Sequence, residues 1–403
     1  MKKQNFTWSL LLKGMAMVAV LAVTSCQKDK QQPAEEITEV ADTQPVGTNA
    51  VSSAEVTVSN GTWTAKVNGV TKYTGADYVT AIQTACNNLT AGRTVKELVN
   101  IKNSGSSGQS GGVIKAINIP SYTILEFNNT TFTCNSSDQL IVPIQGERRT
   151  DIEVRNMKVT GNPRYGIWLK TCSNIILNNI NMTLNSSSGL GIRVDDSKGD
   201  WSRNFNLTTC NISGAGDNAV ETYGVDGFTI GTVTASNAGA CALLLNKTKN
   251  GTVGTVNATN CGRGTGYAGF RIANNAGPNI RATTINSTGC GRGFFSVTSS
   301  NGCTIGTLNA KDCQSHGALL ENAQQIQING GTISGNGSEG IRFSTTLSYI
   351  CRDNIVQNLN IFGNSYGIRE TAPSNYNTVK NCRLNSNGLS LAGPNSVSTG
   401  NTL

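Results

Sequence analysis

The most regular feature of the chain is a five-residue hydrophobic unit that recurs nine times. Successive units begin between 23 and 28 residues apart, and their second and fourth positions are apolar in nearly every copy, while their third and fifth positions vary. The units occupy residues 166–170, 191–195, 219–223, 242–246, 269–273, 294–298, 317–321, 340–344 and 367–371. Alternation with a period of two is typical of a β-strand with one buried face. Each unit therefore predicts one short strand per repeat.

The segments between the units predict how these strands pair. Each unit is followed by a turn rich in Asn, Gly, Ser and Thr and then by a second apolar segment, such as residues 175–177 or 228–233. A strand that recurs once per repeat pairs in parallel with its copies, and these turns are too short for a crossover helix. Helical periodicity is missing, which argues against leucine-rich repeats. The pattern predicts an all-β fold, a right-handed parallel β-helix of roughly 10–12 coils.

One segment before the repeats has helical spacing instead. Between residues 74 and 89, apolar side chains recur at the intervals of an amphipathic helix. We expect this helix to cap the first coil, because the open end of a solenoid needs a cover. Residues 77–86, followed by the coils, resemble the start of pectin-lyase-like β-helix proteins. This resemblance covers about residues 74–403 and implies a carbohydrate-active protein of the polysaccharide lyase type.

The N-terminus predicts the compartment. Lys2 and Lys3 precede an apolar stretch at residues 14–23, which is too short for a membrane-spanning helix. Val-Thr-Ser-Cys at residues 23–26 resembles the lipobox of bacterial lipoproteins, which implies acylation of Cys26.

Three parts of the chain follow from these signals. We predict a lipoprotein signal peptide at residues 1–25, a disordered tether at 26–59 and the β-helix with its cap at 60–403. The residues after the cysteine, 26–30, resemble those of Bacteroidetes lipoproteins that reach the outer membrane. We therefore expect a protein of the bacterial cell envelope that contacts the membrane only through its lipid, on a face that the sequence leaves open.

Charge and cysteine content limit the partners. The formal net charge is +8, and without the three lysines of the predicted signal the chain keeps 29 basic and 24 acidic residues. The basic residues are scattered, which argues against nucleic acid and is compatible with an acidic polysaccharide. We expect a monomer.

Cys261, Cys290 and Cys313 recur at one turn position, with Asn237 one coil earlier, and are interpreted as a stack of buried thiols.

The variable positions of the units should form the outer face of the sheet, with about 4.8 Å between neighbouring strands. The third positions are Trp168, Arg193, Glu221, Leu244, Arg271, Ser296, Leu319, Arg342 and Arg369. The fifth positions are Lys170, Asp195, Tyr223, Asn246, Ala273, Thr298, Glu321, Ser344 and Thr371. Ile272, Phe295 and Val297 are expected to point into the core. The polar residues of the second to fifth units predict one charged patch, which Lys247 adjoins from the following turn.

This patch is the predicted active site. Cleavage of a uronate polymer by β-elimination needs a group that neutralises the carboxylate, a base for the C5 proton and an acid for the leaving oxygen. The predicted catalytic residues are Arg271, Lys247, Tyr223 and Arg193. The predicted substrate-binding residues are Trp168, Lys170, Asn246 and Asp217. Asp195 and Glu221 are the predicted ligands of a Ca²⁺ ion, with direct pairing of Arg193 to the uronate as the alternative.

Three other interpretations stay open at this point. The charges can be ordinary cross-strand ion pairs on a solvated surface. Residues 216–220 and Arg271-Ile272 resemble segments of polygalacturonases, which implies a glycoside hydrolase or an epimerase with Asp217 among its acids. A surface adhesin that only binds glycans is the alternative outside enzymes. His316 is given no catalytic role, and Arg342 and Arg369 are interpreted as surface charges.

Overall fold

The computed structural model describes residues 51–185, 189–197 and 199–403. The predicted signal peptide, most of the tether and Cys26 lie outside the described residues. Within the described part, no helix is long and apolar enough to cross a bilayer.

Short strands dominate the described chain, with one helix, α1, at Tyr78–Asn87. The strands are β1 Ser53–Ser59, β2 Thr62–Val67, β3 Val70–Gly75, β4 Glu97–Ile101, β5 Gly105–Ser106, β6 Lys115–Asn118, β7 Thr123–Glu126, β8 Thr131–Cys134, β9 Ile141–Glu147, β10 Thr150–Gly161, β11 Tyr165–Lys170, β12 Ser173–Leu184, β13 Leu190–Asp195, β14 Ser202–Ser213, β15 Val220–Tyr223, β16 Val225–Ser236, β17 Leu243–Asn246, β18 Lys249–Thr259, β19 Ala268–Ala273, β20 Ile280–Thr288, β21 Arg292–Ser296, β22 Cys303–Lys311, β23 Ala318–Glu321, β24 Gln327–Ile328, β25 Gly331–Ser334, β26 Glu339–Ser344, β27 Ile355–Gln357, β28 Leu359–Phe362, β29 Tyr366–Glu370, β30 Thr378–Lys380, β31 Leu389–Ser390 and β32 Val397–Thr399.

One 12-stranded sheet contains all nine predicted units. Its strands follow the order β6, β9, β11, β13, β15, β17, β19, β21, β23, β26, β29 and β31. Each strand pairs in parallel with its copies in the coils before and after it, as Ile167 pairs with Ile192 in the next coil. The remaining strands form a 20-stranded sheet, in which β10, β12, β14, β16, β18, β20 and β22 pair in parallel in the same way. The predicted parallel β-helix and its coil number are confirmed.

Stacked apolar side chains hold the coils together. Ile192, Val220, Leu243 and Phe270 follow one another down the inner face of the 12-stranded sheet, and all four are fully buried. Because the residues alternate in direction along a strand, this inner column leaves the neighbouring positions on the outer face.

The buried column at one turn is longer than the sequence predicted. Backbone bonds between coils align Cys261, Cys290 and Cys313 with Ala238, so the residue one coil earlier is Ala238, and Asn237 was the wrong choice by one position. The three thiols are buried and free. The column continues through Asn336, whose side-chain amide donates to Asn364 at 2.8 Å.

The N-terminal end is closed by α1 together with the antiparallel strands β1, β2 and β3. Asp77 caps the helix by accepting from the Thr80 backbone N–H at 2.7 Å, which satisfies one of its free donors. The capping helix was predicted. Strand β1 was not, because Ser53–Ser59 fell in the predicted tether, although its alternate residues Ala54 and Val56 are buried. The folded unit therefore begins before residue 60.

The predicted register is wrong by one residue in a single unit. Arg271 pairs with Phe295 and Ile272 with Ser296, so Phe295 lies on the outer face in place of Ser296. The inward aromatic residue is Phe294, which pairs with Phe270 at a ring-centroid distance of 5.5 Å. Two adjacent phenylalanines fit the apolar pattern in either register, which is why the sequence misplaced this strand.

This register has a measurable consequence. Phe294→Ala should lower the free energy of unfolding by about 3–5 kcal/mol, because it empties a fully buried position. Phe295→Ala should cost less, since its ring packs on the outer face. Denaturant unfolding of the two variants tests this order, and a larger loss for Phe295→Ala would contradict the observed register.

Candidate functional site on the outer face

The outer face of the 12-stranded sheet carries a continuous column of side chains in register. Strand pairing places one residue per coil in this central column: Gln145, Trp168, Arg193, Glu221, Leu244, Arg271, Phe295, Leu319, Arg342 and Arg369. Apart from Phe295, the members from Trp168 onward are the residues predicted for the third position.

Arg193 forms the charged centre of the first half of this face. Its Nε donates to Asp195 Oδ1 at 2.7 Å, and its Nη1 donates to Glu221 Oε2 at 3.0 Å. The side chains of Asp195 and Glu221 are only 10% and 6% exposed. Asp195 Oδ2 also accepts from Trp168 Nε1 at 2.9 Å. Such burial distinguishes this triad from the solvated ion pairs that exposed charges form.

Glu221 is held by amides as well as by Arg193. The side chain of Asn218 donates to its Oε2 at 3.0 Å, and that of Asn246 donates to its Oε1 at 3.3 Å. Burial raises the pKa of Glu221 above the ordinary glutamate value, although Arg193 and the two amides oppose the shift. A carboxylate with a raised pKa is a stronger base than an exposed one and is also protonated more readily.

The predicted calcium ligands are thus joined by a cation from the protein itself. The guanidinium of Arg193 bonds both Asp195 and Glu221, and N–H donors already approach the oxygens that a shared Ca²⁺ would require. This donor set fits an ion pair better than a calcium cage. The calcium site stays an untested prediction.

A depression of about 280 Å³ opens beside Glu221 on the outer face. We call it the central depression, and its lining includes Arg193, Asp217, Glu221, Asn246, Tyr267 and Arg271. Five of these six were predicted as site residues. The structure therefore brings together predicted members of the catalytic, substrate-binding and metal-binding sets in one concave site.

Arg271 is the cation of the central depression that lacks a carboxylate partner among the described residues. Its guanidinium carbon lies 4.8 Å from the ring centroid of Tyr267 and 5.0 Å from that of Phe295. Its Nε is buried and has no hydrogen-bond partner. An unpaired guanidinium beside a polar depression is suited to binding a carboxylate, which it can hold through two parallel bonds.

Trp168 and Lys170 border this site without lining the central depression. The ammonium of Lys170 lies 4.6 Å from the indole centroid of Trp168 and pairs with Glu147 at 3.2 Å. Tyr165 packs against the same indole at a ring-centroid distance of 4.5 Å. Trp168 is thus contacted by its own neighbours, and its predicted role as a sugar platform stays a prediction.

Lys247 and Tyr223 lie close to each other, at or just after the ends of the neighbouring strands β17 and β15. Lys247 Nζ pairs with Asp196 Oδ2 at 2.8 Å and lies 5.3 Å from the ring centroid of Trp201 and 6.0 Å from that of Tyr223. Neither Lys247 nor Tyr223 lines the central depression. Strand alternation does not fix turn residues, so the sequence predicted for Lys247 only that it adjoins the patch.

Tyr267 is one of the depression residues that the sequence analysis did not assign to the site, and Asn218 and Asn274 are others. Tyr267 precedes β19 in a coil of 27 residues, whereas several other coils have 23. The extra residues form a longer turn between β18 and β19. Tyr267 is the last residue of this turn and lines the edge of the central depression. The unequal coil length was the signal that could have drawn attention to it.

A second charged cluster surrounds His316, which was given no role. His316 is buried next to Glu339, with 3.2 Å between Nε2 and Oε2 but without hydrogen-bond geometry. Ser338 Oγ donates to the same Glu339 oxygen at 2.6 Å. Arg342 and Arg369 approach the other oxygen at 3.8 and 3.4 Å, so these two arginines are not isolated surface charges.

This cluster predicts loss of stability in acid. Burial, together with Arg292 and Arg342, lowers the pKa of His316 to about 4 despite the nearby Glu339. The folded state therefore resists protonation that the unfolded chain accepts near the ordinary histidine pKa of about 6.5. The melting temperature should fall as the pH is lowered through this interval. His316→Gln should weaken this dependence relative to the wild type, and an unchanged pH profile in the variant would contradict it.

Comparison with known proteins identifies the fold. Residues 141–306 match the family model described as the right-handed beta helix region. The A-module of the mannuronan C-5 epimerase AlgE6 from Azotobacter vinelandii is a similar solved structure, with a TM-score of 0.55 and 14% sequence identity over 81% of this chain and 95% of that one. The AlgE4 A-module from the same organism has a TM-score of 0.49 and 14% identity over 80% and 96% of the two chains. No curated protein matches the sequence significantly.

Proposed function

We propose that this chain, which has the right-handed parallel β-helix fold of the pectin-lyase-like superfamily, cleaves a uronate-containing polysaccharide by β-elimination in the central depression. The observation that carries the proposal is the unpaired guanidinium of Arg271 in the same depression as the buried carboxylate of Glu221 and the phenol of Tyr267. The similar AlgE6 A-module belongs to a mannuronan C-5 epimerase, and this similarity supports a carbohydrate substrate for the present chain.

Each group has one role in this reaction. Arg271 binds the uronate carboxylate and stabilises the negative charge that develops on it when the C5 proton leaves. Glu221 takes that proton, since its raised pKa makes it a stronger base. The electron pair of the C5–H bond then forms the C4–C5 double bond as the C4–O bond breaks, and Tyr267 gives its phenolic proton to the departing oxygen. Asn246 lies where it can bind a sugar hydroxyl.

The direct test is to incubate the folded domain with a panel of uronate polymers and follow the ultraviolet absorbance of the unsaturated uronate product. A rise in absorbance supports the proposal. The same assay after treatment with EDTA tests the predicted calcium requirement, because a rise that EDTA abolishes would show that a divalent cation participates. Binding of the polymers without any new product would favour the adhesin interpretation instead.

Epimerisation of a uronate begins with the same step as β-elimination, the removal of the C5 proton. If the carbanion is protonated again on the opposite side of C5, a new C5–H bond replaces the broken one, the configuration at C5 inverts and the glycosidic C4–O bond stays intact. Incorporation of deuterium at C5 from D₂O without a new double bond would identify this outcome. Proton abstraction by Glu221 would then hold, and elimination would be wrong.

Hydrolysis is the second candidate, because Asp217 and Glu221 both line the central depression. An inverting glycosidase uses one carboxylic acid to protonate the leaving oxygen and one carboxylate to activate water. Glu221, with its raised pKa, suits the acid role. New reducing ends without a double bond would support hydrolysis.

Anchoring by a lipid on Cys26 remains part of the proposal, supported by the sequence at residues 23–26. Cys26→Ser should move the protein from the membrane fraction to the soluble fraction when whole cells are fractionated. Retention of this variant in the membrane fraction would contradict acylation of Cys26 as the anchor.

A further inference from the structure

Charge is distributed unevenly along the outer face, on either side of the central depression. On the N-terminal side, Lys170 pairs with Glu147 and Arg193 pairs with both Asp195 and Glu221. On the C-terminal side, strands β19, β21, β26 and β29 of the 12-stranded sheet contribute four arginines, and we call Arg271, Arg292, Arg342 and Arg369 the arginine strip. Cations are thus matched by carboxylates on one side and outnumber them on the other.

Two members of the arginine strip share one aromatic ring. The guanidinium carbons of Arg271 and Arg292 lie 5.0 and 4.6 Å from the ring centroid of Phe295. Both Nε atoms are buried without a hydrogen-bond partner, and neither residue forms a salt bridge within the described part of the chain. Phe295 therefore packs against two cations that form no salt bridge with a described carboxylate, although Glu321 lies near enough to act on the charge of Arg292.

The other two members share a single carboxylate. Arg342 and Arg369 approach the same Glu339 oxygen, and Arg342 Nε is also buried and unpaired. Their side chains are 35% and 44% exposed, so a ligand on the outer face can reach them. Glu339 itself is buried beneath them. A second negative charge would complete the set of partners at this end of the strip.

We infer that the arginine strip binds consecutive carboxylates of a uronate polymer on the C-terminal side of the central depression. From Arg271 in β19 to Arg369 in β29 there are four strand spacings, or about 19 Å, which accommodates several linked sugar units. The inference rests on the proposed function for the position of the reacting unit. It also gives the direction in which the bound polymer runs, because the carboxylates beyond the reacting unit extend toward the C-terminal coils.

The experiment measures binding of uronate oligomers of increasing length, from a trimer to a decamer, by calorimetry at low and high salt. The wild type should bind the decamer at least about tenfold more tightly than the trimer, and added salt should reduce this difference. Arg342→Ala/Arg369→Ala should lose most of the gain with length and bind the trimer as the wild type does. Arg352→Ala/Arg383→Ala is the matched control, since it removes two exposed arginines outside the outer face. A neutral glucan decamer should bind weakly to every variant.

Two results overturn the inference. One is a wild-type affinity that does not rise with length, and the other is a double variant that keeps the full gain. If the double variant misfolds, Arg369→Ala alone serves, because this side chain is the more exposed of the two. Failure of the proposed function is separate: it is the absence of any double bond in the product, even when long oligomers bind tightly and the double variant weakens that binding.

Discussion

Replacing Arg271 with alanine is expected to lower kcat/KM on a uronate polymer by about 10²–10³, the range seen when one charge-stabilising donor is removed from an active site. Its guanidinium has no carboxylate partner in the described protein, so the substrate carboxylate is free to be its partner. The loss should fall mainly on kcat, because negative charge on the carboxylate increases as the C5 proton leaves. Steady-state kinetics, followed by the ultraviolet absorbance of the unsaturated product, measures kcat and KM separately.

Two variants make this result specific. Arg203→Ala removes an exposed arginine from β14, outside the 12-stranded sheet, and should keep full activity. Arg271→Lys keeps the charge but loses the planar fork, so it should recover only part of the rate. Wild-type turnover by Arg271→Ala would move the reacting carboxylate away from this residue.

Glu221→Gln is expected to lower kcat by about 10²–10⁴, the contribution typical of a positioned general base. The change preserves shape but removes the basic oxygen, so KM should change little. In the wild type, activity requires ionised Glu221 and should decline as the pH falls through its pKa, which burial raises above the ordinary glutamate value. The residual activity of the variant should lack this acidic limb.

The interpretation of that result depends on folding, because Glu221 also accepts bonds from Arg193, Asn218 and Asn246. An unchanged circular dichroism spectrum and melting temperature would separate a chemical effect from a structural one. Glu55→Gln, at an exposed position of β1, is the matched control and should be fully active. An acidic limb that persists unchanged in Glu221→Gln would assign the base to another group.

The repeat itself explains how much of the fold was predictable. A strand that returns every 23 to 28 residues has its inner and outer positions fixed by alternation, so residues such as Glu221 and Arg271 were assigned correctly to the outer face. The inner and outer positions were assigned wrongly at the adjacent residues Phe294 and Phe295, because both are apolar and either one fits the inner face. The assignment failed again at β1, where the low hydrophobicity of the surrounding segment masked the alternation of Ala54 and Val56.

The site was only partly predictable, for a different reason. Strand residues of neighbouring coils approach one another because register requires it, which brought Arg193, Glu221 and Asn246 together. Turn residues obey no such rule, so Lys247 could be assigned only to the neighbourhood of the patch and Tyr267 was overlooked. His316 was dismissed because its partner Glu339 comes from the next coil, 23 residues later in the chain.

The position of the central depression within the stack has a consequence for how the protein tolerates local unfolding. Its strands β15, β17 and β19 are preceded by four strands of the 12-stranded sheet and followed by five. In a solenoid each coil touches only its neighbours, so thermal fraying begins at the two ends and travels inward. Several coils must melt before the geometry of the central depression is disturbed. Damage confined to a terminal coil is therefore expected to leave the central depression intact.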